Sequence, residues 1–226
     1  MSDVAAPLPT SWTPLPALIR RVIGVLIEKE KTHKSADSYP MTLNSITLGC
    51  NQKSNRDPVY ELDEFEVDET LAAAQKLGFV MKITGGRAER WRHLMYDIWK
   101  INKFEMAILA ELLLRGAQTE GDLRGRASRM NEIPDLEELR NLLKNLALRN
   151  LVVYVTPPER RGCIVTHGFH SKEEMDKLKT TNFGVQESES APRSSSSSSS
   201  PDELAQLKER VAKLEAEIIA IKAKLN

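Results

Sequence analysis

Asp63-Glu64-Phe65-Glu66 and Asp135-Leu136-Glu137-Glu138 stand 72 residues apart and open two stretches that run in step. Each begins with an aspartate suited to cap a helix and has glutamate at the third position beyond it, the pattern of a reciprocal capping box. Val67, Leu71, Ala74 and Leu77 follow at helical spacing, and Leu139, Leu143 and Leu146 hold the positions equivalent to the first three. Gly78 and Asn150, residue types that accept a left-handed C-terminal conformation, end the two helices. β-rich runs come next, Phe79 to Thr84 and Leu151 to Thr156. They turn back through Gly85-Gly86-Arg87 and through Pro157 to Gly162 into second strands, roughly Glu89 to Tyr96 and Cys163 to Phe169.

Two further helices precede each of these units. In the first copy an apolar stripe through Leu18, Val22, Val25 and Leu26 makes one, and Thr42 caps a shorter one through Leu43, Ile46 and Cys50. In the second copy Asn102 and Glu105 form a capping box, Phe104, Ile108 and Leu112 form the stripe, and Gly116 stops it; Thr119 with Asp122 starts the next helix. Three helices, the last two in helix-turn-helix order, closed by a two-stranded hairpin, make a winged helix. The fold class expected is mainly α with small β wings: tandem winged-helix domains over 15–99 and 100–170, after a disordered N-terminus over 1–14.

Three stretches also carry a family likeness. Arg21-Val22-Ile23-Gly24-Val25-Leu26-Ile27-Glu28-Lys29, Cys50-Asn51-Gln52-Lys53-Ser54-Asn55-Arg56-Asp57-Pro58-Val59 and Leu112-Leu113-Leu114-Arg115-Gly116-Ala117-Gln118-Thr119 are similar to the bacterial YceH-like family of unknown function, over about residues 15 to 170. The resemblance implies a tandem winged-helix fold in a bacterial cytoplasm and no particular activity.

Past Phe169 the composition turns to linker, expected over 171–200 and including seven consecutive serines from Ser194. A coiled-coil helix over 201–226 follows. Ser200 is its N-cap and Pro201 its first residue, and Leu204, Leu207, Val211, Leu214, Ile218, Ile221 and Leu225 make an unbroken heptad seam. β-branched residues at the central a positions, with leucine at most d positions, favour a parallel homodimer.

Composition narrows the function. Lysine plus arginine number 32 and aspartate plus glutamate 32, so the formal net charge is zero and any polyanion site must be a local patch. No apolar run approaches the ~20 residues that span a bilayer. The N-terminus lacks a basic residue before Arg20 and carries Pro7, Pro9, Pro14 and Pro16, which suits neither a secretory signal nor a transit peptide. Two cysteines make no disulfide framework, so the expectation is a soluble cytoplasmic protein.

Seven carboxylates between Asp57 and Glu69 lead into the third helix of the first copy and make it a poor reader of DNA. The alternative is that these acids simply complement the helix dipole. In the second copy Arg140, Asn141, Lys144 and Asn145 project together, and arginine and asparagine make bidentate contacts to guanine and adenine edges, although Glu137 and Glu138 in the first turn count against DNA. Arg124, Arg126 and Arg129 on the preceding helix, with Arg160 and Arg161 in the wing, are candidate phosphate contacts; an ordinary solvated face accounts for the same residues equally well. Asn51, Gln52, Lys53, Asn55 and Arg56 read either as a locally hydrogen-bonded loop or as a surface facing a partner, with Lys53 and Arg56 directed away from the core. Cys163, His167 and His170 fall short of a four-ligand zinc pattern, and neither a nucleophile-base pair nor a phosphate loop stands out. The expectation is therefore no enzyme, metal or cofactor, and either a DNA-associated regulator working through its second domain or a protein-interaction scaffold.

Overall fold

The computed structural model describes residues 12–33, 38–86, 88–158 and 160–184. All of these belong to the compact unit Met1–Gln186. The heptad residues Leu204 to Leu225 and the serine run lie outside the described residues.

Helix α1 (Ala17–Thr32) runs through the interior, and every residue from Ile19 to Glu28 is buried. A helix buried on nearly all sides, Arg20, Arg21 and Glu28 included, needs neighbours around it, and α2 (Leu43–Cys50), α3 (Glu64–Lys76) and α5 (Lys103–Arg115) enclose it. The first copy closes with the hairpin β1 (Val80–Ile83) and β2 (Arg90–His93), to which Met41 adds a single bridge at Trp91. After the short helix α4 (Met95–Trp99) the second copy runs α5, β3 (Gln118–Thr119), α6 (Glu120–Ala127), α7 (Leu136–Leu148), β4 (Val152–Tyr154) and β5 (Ile164–His167). Its three strands are antiparallel in the order β3-β5-β4. The described fold is thus mainly helical with two small antiparallel sheets.

The caps form where the sequence places them. Asp63 and Asn102 head complete capping boxes with Glu66 and Glu105. The side chains of Thr42, Thr119 and Asp135 accept the N–H groups of Ser45, Asp122 and Glu138, so the reciprocal box expected at Asp135 and Glu138 forms only by half. Gly78 and Asn150 stand at φ 76° and 56°, so both helices stop through a left-handed residue. The hairpins share a register as well: Val80 faces His93, and Val152 faces His167. In each case the histidine Nδ1 accepts the backbone N–H two residues on, from Met95 or Phe169, at 3.2 Å.

Four expectations need correction. The two copies are not separate bodies with separate cores: α1 packs along α5, and one cluster of buried residues runs from Leu15 to Phe169. Gly24 permits the close approach, since a Cβ there would stand 2.9 Å from the Leu114 side chain. Ordered chain begins before residue 15, because the Trp12 indole N–H donates to the Arg149 carbonyl at 2.8 Å and its ring meets Phe169 edge-on. The returning strand of the first hairpin ends at His93, short of Tyr96, where Leu94 leads into α4. Finally, Lys172–Gly184, read as linker, forms helix α8. Ser171 and Glu174 cap it reciprocally, and Arg20 of α1 grips Glu174 at 2.5 and 3.0 Å. A weakly apolar helix is held by this tertiary anchor, which local composition does not reveal.

Candidate functional site

On α7 the buried residues Leu139, Leu142, Leu143 and Leu146 face inward, and Arg140, Asn141, Lys144 and Asn145 are exposed together. Arg140 is not fully free: its Nε donates to Glu120 Oε2 at 2.9 Å. Glu120 begins α6 and is almost buried, and its other oxygen has no hydrogen-bond partner. Arg160 and Arg161 lie exposed in the turn between β4 and β5.

The arginines on and after α6 divide. Arg124 donates to the carbonyls of Ile133 and Pro134 at 3.2 and 3.0 Å, fastening the turn into α7. Arg126 donates to Gln118 Oε1 at 2.8 Å and lies 3.8 Å from Asp122. Arg129 turns away from the α7 face altogether, with Nη1 2.6 Å from Glu28 and Nη2 3.1 Å from Glu111. As a phosphate contact it is withdrawn: buried carboxylates from both copies claim its guanidinium.

The polar loop after α2 also belongs to this joint. Arg56 is buried, with Nη1 and Nη2 donating to the two oxygens of Glu28 at 3.2 and 2.5 Å and Nε to the Gly49 carbonyl at 3.0 Å. Burial alone would raise the Glu28 pKa; the hydrogen bond and charge of Arg56, with Arg129 and Lys29, hold it down to about 2. Asn51 pairs with the backbone of Leu62 through both amide atoms, and Gln52 accepts from Lys29 and Arg56. Asn55, left-handed at φ 58°, accepts from Arg115. The expectation that Arg56 faces a partner is therefore wrong, and Asn51, Gln52 and Asn55 are engaged within the fold. Lys53 remains exposed. The misreading is understandable, since a loop of amides and cations looks the same whether its partners are inside or outside.

Beside this joint, where α1 and α5 meet the start of α8, lies a cleft of about 480 Å³ lined by Arg20, Arg21, Arg115, Tyr60, His170 and Glu174 among others. Sequence reasoning missed it, although the Arg20-Arg21 pair inside an apolar stripe was a signal. Cys163 is buried, its Sγ 3.6 Å from the Thr156 carbonyl. His167 and His170 stack with ring centres 3.9 Å apart. Burial lowers the pKa of His167 well below the usual histidine value, and His170 and Arg20 lower it further.

The family described as "Protein of unknown function, DUF480" matches residues 15–162. A UPF0502 protein of Rhodopirellula baltica is 38% identical over 207 residues, covering 89% of this chain and 84% of that one. Another from Hahella chejuensis is 38% identical over 216 residues, covering 91% and 93%. A UPF0502 protein of Geobacter sulfurreducens is 45% identical over 143 residues, 63% of this chain and 64% of that one. The chain belongs to this DUF480 family.

Proposed function

We propose that this chain is a non-enzymatic, cytoplasmic tandem winged-helix protein that associates with DNA in a regulatory role, with α7 as the helix that enters the major groove. One observation carries the reading: Arg140, Asn141, Lys144 and Asn145 share the solvent face of the helix that a winged helix offers to DNA. Arg160 and Arg161 in the second wing support it as phosphate contacts. Titration of the full chain against duplex DNA over a range of salt tests it. A steep fall of log affinity with log salt is expected, and no binding at low salt would remove the reading.

A second reading, a protein-interaction scaffold, draws on a different surface. Glu64, Glu66, Asp68 and Glu69 are exposed on α3, Phe65 there is 70% exposed, and the net charge is zero. Capture of a protein that survives high salt and is lost on Phe65→Ser would favour it. We further propose that the heptad Leu204 to Leu225 joins two chains as a short parallel coiled coil. Sedimentation of the full chain against one ending at Ser194 tests this: equal monomeric behaviour at tens of micromolar would exclude the dimer.

A further inference from the structure

Three arginines, Arg20, Arg21 and Arg115, line the cleft between the two copies, with the carboxylates of Asp57 and Glu174 also at its wall. Arg21, only 2% exposed, forms no ion pair among the described residues. Its Nη1 donates to the Cys50 carbonyl at 3.0 Å and its Nη2 to the Pro58 carbonyl at 2.6 Å, its guanidinium lies 4.6 Å from the centre of the Tyr60 ring, and its Nε is buried without a partner. Carbonyl dipoles and a ring face moderate a buried cation without neutralising it. Arg20 is already neutralised by Glu174. Arg115 is ion-paired with Glu111, Nε 3.2 Å from Oε1 without a hydrogen bond, and its Nη2 donates to Asn55; its side chain is 23% exposed and no hydrogen bond is seen at Nη1 among the described residues. Arg115 therefore has guanidinium donors to spare beside the cavity, and Arg21 supplies field behind it. Asp57, also at the cleft wall, is exposed and enters no ion pair among the described residues. Tyr60, Leu113 and Ala117 supply apolar wall. A volume of about 480 Å³ lies in the range of small-molecule sites, which combine mostly apolar walls with a few polar groups.

We propose that this cleft is a binding site for a small organic anion, a carboxylate or phosphate on a compact apolar body, whose charge meets Arg115 and whose body rests against Tyr60 and Leu113. This is independent of what α7 recognises. Because the cleft takes residues from α1, from the loop after α2, from α5 and from α8, an occupant would touch both copies at once and strengthen their junction.

The test uses the full chain labelled with ¹⁵N, titrated at constant ionic strength with benzoate, with inorganic phosphate and with benzamide, the uncharged counterpart of benzoate. Saturable shifts of the Gly116 and Ala117 amides are expected with benzoate or phosphate, and binding of benzamide at least about tenfold weaker than benzoate. Which of the two anions saturates identifies carboxylate or phosphate as the recognised group. Arg115→Gln should weaken binding by about tenfold, and Ala117→Phe, which fills the cavity and removes no charge, should abolish it in a chain whose spectrum is otherwise unchanged. The proposal fails if neither anion saturates at tens of millimolar, if benzamide binds as well as benzoate, or if the Ala117→Phe chain binds as the parent does.

Discussion

Helices α3 and α7 occupy equivalent places and are built alike. Each is capped by an aspartate, Asp63 or Asp135, each buries one stripe, and each leads into a strand whose valine faces a histidine. Their first turns are both acidic, with Glu64 and Glu66 on α3 and Glu137 and Glu138 on α7, but beyond them the solvent faces differ: Asp68 and Glu69 on α3, against Arg140, Asn141, Lys144 and Asn145 on α7. The difference teaches that the inward positions are fixed by a shared packing problem and the outward ones are free to diverge. The two histidines make the same point inside the molecule. His93 Nε2 lies 2.9 Å from the Glu30 carboxylate, whereas His167 stacks on His170 beside Arg20.

The largest effect should come from the ion pairs that join the copies. Glu28→Ala leaves the buried Arg56 without its carboxylate and cuts the Arg129 pair that bridges the copies, and should cost about 3 to 5 kcal/mol. Urea unfolding of the full chain should then show both copies lost in one transition at lower denaturant. A loss below about 1 kcal/mol, or melting of one copy alone, would mean that the joint does not unite them. Lys53→Glu, a few residues away but exposed, should leave the melting temperature nearly unchanged.

The α3 and α7 contrast comes next. Arg140→Ala with Lys144→Ala should weaken duplex binding by about 1 to 3 kcal/mol per good contact, read by anisotropy. Glu66→Gln or Asp68→Asn should leave it unchanged or tighten it. The reverse pattern would assign DNA to the first copy.

The histidines give a pH-dependent version of the comparison. His167 has a lowered pKa, so the unfolded chain takes up its proton first; stability is full above about 6.5 and falls as pH drops below that, by at most about 1.4 kcal/mol per unit. His167→Gln should flatten that limb of a stability profile. A second decline belongs to Glu28, whose contribution is present above the ordinary carboxylate value and is lost as pH falls toward about 2. A profile of His167→Gln that keeps the full slope between pH 6.5 and 5 would refute the first assignment.

The smallest effect should be the most symmetrical. Asp63→Ala and Asp135→Ala each remove one N-cap and should each cost about 1 kcal/mol. A large inequality in chemical denaturation would show that the return bond from Glu66 to the Asp63 N–H, which completes that box, matters more than the aspartate cap itself.

The sequence alone determined the caps, the stops, the paired helices and hairpins, and the leucine face of α7, because these depend on neighbours within a few turns and on a repeat that shows them twice. Asp63, Asn102, Gly78 and Asn150 are legible for that reason. The polar face of α7 was legible too, since burying Leu139, Leu143 and Leu146 leaves Arg140 and Lys144 outside. Only the tertiary structure decided the destinations of the long charged side chains. Arg56 and Arg129 meet Glu28 across 28 and 101 residues of chain, Arg20 reaches Glu174, and Arg21 pairs with no carboxylate among the described residues. A guanidinium several bonds from its backbone carries no periodicity to betray its partner. Whether it faces solvent, a phosphate or a buried acid is set by how α1 packs on α5, and that packing also makes α8 a helix and opens the cleft beside it.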